Sequence, residues 1–170
     1  MATRLRLYAL CLPPLALAVL DGALTLAGQS EAYWAGDYRQ VNEMSPTFHH
    51  LLTSHPLAFA VGFAAWMAVF VGLILLLPAT LALLVAIAVT FGHTAGAATW
   101  LLWRFYFGYQ ACNLLILVSA LLLTLAIRIG WPANPTEAQR LLAARPLWRW
   151  TLIAALGALG VWLFLWPRAA

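Results

Sequence analysis

Charge is what this chain has least of. Only 8% of its 170 residues are Asp, Glu, Lys or Arg, against roughly a quarter in a soluble domain, while 65% are hydrophobic. That combination excludes an ordinary soluble enzyme or binding module and marks an integral membrane protein. Lysine is absent, so all nine basic residues are Arg. They are scattered, with no patch able to neutralise a run of phosphates, which argues against a nucleic-acid partner despite a net charge of +4. Cysteine is limited to Cys11 and Cys112, near the starts of the first and fourth apolar runs. Alternating spans would set them at opposite depths, beyond the roughly 7 Å between Cα atoms that a disulfide tolerates, and both read as small packing residues. The chain also has no HExxH, CxxC, serine elbow, Gly-rich phosphate loop or paired-carboxylate motif, so the common hydrolase and nucleotide chemistries have no foothold.

What the chain does have is long apolar runs: about 5–27, 57–77, 79–103, 109–129 and 148–166. Each is long enough to cross the hydrocarbon as a helix, which satisfies its own backbone there. The expected fold is an all-α integral membrane bundle of about five transmembrane helices, forming a single membrane domain over 1–170. The opening segment "MATRLRLYALCLPPLALAVL" has the form of a signal peptide, but "TLAG" is a weak cleavage site, and the segment reads as the first span. Pro13 and Pro14 should kink it, and Pro78 should occupy a tight turn between the second and third spans.

An N-terminus in the cytoplasm puts Arg4, Arg6, Arg128, Arg140, Arg145 and Arg149 inside, and Arg39, Arg104 and Arg168 outside. The positive-inside rule therefore favours N-in, C-out in the inner membrane. Trp34, Trp103, Trp131, Trp148, Trp150 and Trp166 fall at span ends or flanks, where an indole keeps its N–H wet. The stretch 131–147 should form a cytoplasmic interfacial helix, with Asn134 as cap, Pro135 at the first helical position and Glu137 completing a capping box. The longest polar stretch, 28–56, is expected to fold back as an extracytoplasmic lid, since loops of this length usually carry function or structure of their own.

Candidate chemistry lies in and under that lid. Asp21 sits inside the first span, and an ionisable group at the centre of a span costs about 2.5–3.5 kcal/mol on insertion scales. His93 lies in the third span among Gly92, Thr94 and Gly96. Asn113 begins the fourth, a turn after Tyr109. With alternating topology Asp21, His93 and Asn113 share a depth band beneath Glu43, His49, His50 and His55, so a pocket for a ligand or proton is expected from Asp21, Glu43, His93 and Asn113. The plainer reading of Asp21 and His93 is an interhelical hydrogen bond that fixes packing.

A metal ion could draw on Asp21, His49, His50 and His93. The spacing is unpromising, because adjacent histidines diverge on a helix and His50 and His55 are five residues apart. Haem is not expected, since a single intramembrane histidine would need a loop partner. Small-xxx-small spacing at Gly92 and Gly96, and Gly157 followed by Gly160, suits close helix contact within the chain, in a homo-oligomer or with a membrane-protein partner.

The order "LDGALTL…GDY…NEMSP…HPLAF" over residues 20–60 resembles a widespread group of small polytopic membrane proteins, in which an intramembrane Asp followed by Thr precedes an extramembrane Asn/Glu-Pro element. Here Met44 and Ser45 separate Glu43 from Pro46. The resemblance implies that Asp21, Thr25, Asn42, Glu43 and Pro46 form one local unit, with Thr25, Asn42 and Pro46 structural, and it implies no activity. Three functional classes follow from the residues: a ligand- or metal-binding protein or accessory subunit of a membrane assembly, a metal-assisted hydrolase or transferase at the outer leaflet with Glu43 as base, and a small transporter. The transporter is disfavoured by the scarcity of ionisable residues in the inner half of the spans.

Overall fold

The computed structural model describes residues 2–130 and 147–165. Every regular element among them is helical: α1 (Ala2–Ala27), α2 (Glu31–Trp34), α3 (Pro46–Ser54), α4 (Pro56–Leu76), α5 (Ala79–Thr99), α6 (Gly108–Gly130) and α7 (Leu147–Leu165), with a π-helical turn, Trp100–Arg104, continuing α5. Four segments are long and apolar enough to cross a membrane: Tyr8–Ala27, Pro56–Leu76, Ala79–Arg104 and Gly108–Gly130. The expected interfacial helix, 131–147, lies outside the described residues except for Leu147, the first residue of α7.

The first helix is the centre of the bundle, packing against α4, α5 and α6. Its partner face on α5 is a stripe of small or polar residues, Ala82, Ala86, Thr90, His93 and Ala97, all buried. Spacings of four and three residues keep these on one face, and their small volume lets two backbones approach closely. Such contact matters in a bilayer, where lipid tails remove the hydrophobic drive between helices and van der Waals packing takes over. Pro13 and Pro14 do not break α1, which stays helical through both; their rings remove the donors that would have reached the carbonyls of Ala9 and Leu10.

The connections are set by local chemistry. Leu77 and Pro78 are extended and fold α4 onto α5 as an antiparallel hairpin, with the Pro78 carbonyl accepting from the Ala82 N–H at 2.8 Å. Beyond the π-turn, Tyr106 (φ +56°) and Gly108 (φ +80°) reverse the chain into α6. The π-turn also carries Arg104 to the end of α1, where its Nε donates to the Gly28 carbonyl at 2.8 Å, a favourable place for a cation at the negative end of a helix. At the opposite end of the bundle, Arg149 of α7 donates from Nη2 to the Leu75 carbonyl at 3.1 Å.

Residues 28–55 form a structured cap. Gln29, 3% exposed, clasps its far side: Nε2 donates to the carbonyls of Thr25 (2.7 Å) and Asn42 (3.2 Å), and Oε1 accepts from the Asn42 N–H (2.8 Å). Asn42 returns a bond from Nδ2 to the Gly28 carbonyl at 3.2 Å. Tyr33 is fully buried and donates its hydroxyl to the Leu52 carbonyl at 3.1 Å, tying α2 to α3. Pro46 opens α3 at its first turn, where a missing N–H costs nothing, and α3 then packs on α4 and α7.

Replacing Gln29 with Ala removes its two part-buried bonds to the Asn42 backbone, a loss of about 0.5–1.5 kcal/mol per bond. Gln29→Ala is expected to speed amide exchange across 30–55 while leaving α5 and α6 protected; unchanged exchange in the cap would contradict the clasp.

Candidate functional site

Three helices meet at one imidazole. His93 of α5 lies 2.8 Å through Nδ1 from Asp21 Oδ2 of α1, and its Nε2 lies 3.2 Å from Trp66 Nε1 of α4. An indole N–H can only donate, so Nε2 must accept. A neutral imidazole carries one proton, which then sits on Nδ1 and is donated to Asp21. The tautomer is thus fixed by the network, and Asp21 acts as an accepting carboxylate. The side chains of His93 and Asp21 are only 10% and 16% exposed. The ring is further held by Phe63, roughly perpendicular to it, and by a tilted Phe70, with centroids 5.7 and 6.2 Å away.

The Asp21 carboxylate lies over Gly96. A Cβ built there would fall 2.7 to 2.9 Å from the carboxylate atoms, so the glycine is what admits the acid between α1 and α5. Gly92, one turn earlier, has nothing within 4 Å of such a Cβ. It borders open space, not a helix. Gly157 is likewise uncontacted, whereas Gly160 meets Val69 and Trp66 of α4. Each small-residue pair therefore contributes one packing position within the chain instead of two.

Above the Asp21–His93–Trp66 chain lies a cavity of about 470 Å³. Its floor is Asp21, Thr25, His93 and Gly96; its roof is the cap, through Glu43, Ser45, Thr47, Phe48 and Leu51; its walls include Phe59, Phe63, Trp66 and Trp100. Phe48, Phe59 and Phe63 form a continuous aromatic cluster with centroids 5.3 to 5.7 Å apart. The volume falls within the range of small-molecule pockets, and the mixture of apolar wall and a few convergent polar groups is typical of them.

Glu43 reaches the cavity from the roof, its Oε1 accepting from the Ser45 N–H at 2.7 Å. Burial pushes its carboxyl above the ordinary glutamate range, and the negative charge of Asp21 adds to that. The N–H groups of Ser45 and Met44, together with His49, pull the other way without cancelling it.

The remaining sequence candidates do not converge. His49 donates from Nδ1 to the Glu43 carbonyl at 2.9 Å, and His55 caps α4 by accepting from the Leu57 N–H at 3.1 Å. His50 is exposed. No three His, Cys, Asp or Glu side chains among the described residues group closely enough to hold a metal ion. Asn113 is exposed on α6 and does not line the cavity, as equal depth says nothing about which way a helix face points. Thr25 lines the floor, Asn42 belongs to the Gln29 clasp and Pro46 starts α3. Cys11 and Cys112 are buried thiols, Cys112 lying 3.4 Å from the Ala98 carbonyl.

Trp66, Trp100 and Gln29 are missing from the sequence-based candidates. Trp66 carried a readable signal: it is a mid-span tryptophan, and an indole N–H in hydrocarbon needs an acceptor.

Chemically, the chain Trp66–His93–Asp21 is an orienting device. In a nucleophile-activating triad the outer imidazole nitrogen faces the attacking hydroxyl or thiol. Here it faces a donor that cannot attack, which leaves the Asp21 carboxylate as the group presented to the cavity. No family model, curated protein or solved structure matches this chain.

Two measurements probe this geometry. Gly96→Ala should cost about 1–3 kcal/mol through overpacking against Asp21, while Gly92→Ala should stay within about 1 kcal/mol of the parent; detergent unfolding of both variants decides. Because Glu43 holds its proton more tightly folded than unfolded, its contribution is fully present at low pH and is lost as pH rises past the ordinary glutamate range. Glu43→Gln should therefore gain stability relative to wild type with rising pH, and a pH-independent difference would refute the assignment.

Proposed function

We propose that this chain is a multi-pass inner-membrane protein that holds a small ligand in an outward-facing intramembrane pocket, with Asp21 as the anchoring group and Glu43 as its counterpart on the cap. The observation that carries this reading is the Asp21–His93–Trp66 chain at the floor of an open cavity. A carboxylate used only for packing would be sealed between helices. This one is held in a fixed rotamer by a donor that is itself held, yet still faces about 470 Å³ of space. Preorganising a polar group in this way reduces the ordering cost of binding.

Five spans with the N-terminus inside and the C-terminus outside are the topology we assign, α7 supplying the fifth. The six-to-three distribution of Arg supports that orientation. It sets the cap, residues 28–56, on the outer side. The same pocket suits a ligand-binding subunit that works beside a larger membrane partner.

Two measurements test this reading. In a Cys11→Ser/Cys112→Ala background, Ser45→Cys at the roof should react with a membrane-impermeant maleimide on intact cells, and Arg128→Cys only after permeabilisation; the reverse pattern would overturn the orientation. Protein extracted in lipid nanodiscs should carry a small-molecule adduct in native mass spectra that Asp21→Asn reduces about tenfold or more, a change of about 1.4 kcal/mol in affinity. An adduct indifferent to Asp21 would sink the pocket.

A further inference from the structure

Among the described residues, the ionisable side chains lining the cavity are Asp21, Glu43 and His93, with no Arg. His93 donates to Asp21 and accepts from Trp66, so the charge that the described lining offers a ligand is that of the two carboxyl groups. A ligand anion, or a zwitterion whose phosphate would have to enter beside Asp21 and Glu43, finds no cationic partner there. Around the two acids stand the rings of Phe48, Phe59, Phe63, Trp66 and Trp100. Aromatic faces attract a bound ammonium, most strongly when water is excluded.

The position of the mouth narrows the ligand further. Ala88 and Gly92 line the cavity and are at the same time exposed. They lie one turn apart on α5, near the middle of the apolar segment Ala79–Arg104, on the flank where α4 and α5 pair. An opening there faces hydrocarbon. The acids, by contrast, sit toward the capped end: Ala88 is five residues before His93, about 7 Å deeper along the helix at 1.5 Å per residue. The cavity therefore has a negatively charged upper end under the cap and an apolar exit toward the bilayer interior.

Resting on the pocket reading above, we infer that the occupant is a single-chain cationic amphiphile, a long-chain amine or quaternary ammonium without phosphate, which enters sideways from the outer leaflet between α4 and α5. Its head sits between Asp21 and Glu43 against the aromatic walls, and its chain leaves past Ala88 and Gly92. In that pose the head and tail keep the depths they already have in the membrane, so entry requires no passage of the chain through water.

The test uses the full chain in phosphatidylcholine nanodiscs and four probes: dodecyltrimethylammonium, dodecyl sulfate, dodecyl maltoside and tetramethylammonium, all below micellar concentration. Dodecyltrimethylammonium should bind saturably and at least about tenfold more tightly than the other three, the equivalent of about 1.4 kcal/mol. Asp21→Asn keeps an acceptor for the His93 N–H but removes the charge, and should cost about tenfold or more. Glu43→Gln should weaken binding independently, and Gly92→Leu should slow association by closing the flank. Variants are compared only where their unfolding midpoints match the parent, and the Glu43 arm stands if the Asp21 variant fails to fold.

Dodecyl sulfate or maltoside binding as tightly as the ammonium, or binding indifferent to both acids, would overturn the cation assignment and leave the pocket standing. Tetramethylammonium binding as tightly as its dodecyl analogue, with no effect of Gly92→Leu, would overturn entry from the bilayer. Failure of all four probes to saturate, together with no adduct in native mass spectra, would remove the pocket reading itself.

Discussion

The contact on which the rest of the site depends is the pair of hydrogen bonds at His93. An imidazole has two nitrogens on opposite edges, and here each is committed to a different helix: Nδ1 to Asp21 of α1 and Nε2 to Trp66 of α4. Because His93 belongs to α5, three helices are fixed in relative height and rotation by two bonds. In the hydrocarbon of a bilayer no water would replace either one, and breaking the chain there would leave an indole N–H, an imidazole and a carboxylate without these partners at once. The bond to a charged acceptor is the stronger of the two. It is also the one whose acceptor keeps unused lone pairs directed at the cavity.

The cap is built by a different logic. Its contacts lie within the cap and its flanks and run between side chains and backbone: Gln29 with Thr25 and Asn42, Tyr33 with Leu52, His55 with Leu57, His49 with Glu43. Each satisfies a backbone group that a loop would otherwise leave to water. The cap is therefore a fixed roof with its own framework. Glu43 projects from that framework, which explains why a residue in a polar segment is buried enough to have its carboxyl shifted.

The long helices were legible in the sequence because apolar length alone specifies them; Asp21 and His93 stood out because ionisable groups are costly in such runs, and Glu43 because it belongs to the polar stretch above them. What depth could not supply was azimuth. Asn113 shares the level inferred for Asp21 but sits on an exposed face of α6, and only the packing of α6 on α1 and α5 decides that. The histidines of the cap drew attention by number, yet two of them serve the backbone, a role that depends on turns which periodicity does not reveal. Gln29 was overlooked for a related reason. An amide just past the end of a span resembles any polar flank until the chain returns to it thirteen residues later.

The π-helical turn at Trp100–Arg104 sets a register that the chain must keep. A π-turn is an α-helix carrying one extra residue, and each residue in an α-helix advances the face by about 100°. Trp100, at its start, stacks into the space left by Gly28, and Arg104, at its end, reaches the Gly28 carbonyl. Both ends of the turn thus address the same point just beyond the end of α1, as residues four apart on one helical face can. Deleting any one residue between them would relax the turn to an ordinary helix and swing the guanidinium off that carbonyl. The number of residues in this short segment is consequently under tighter constraint than their identity, and length variation in related chains should be excluded here even where side chains differ.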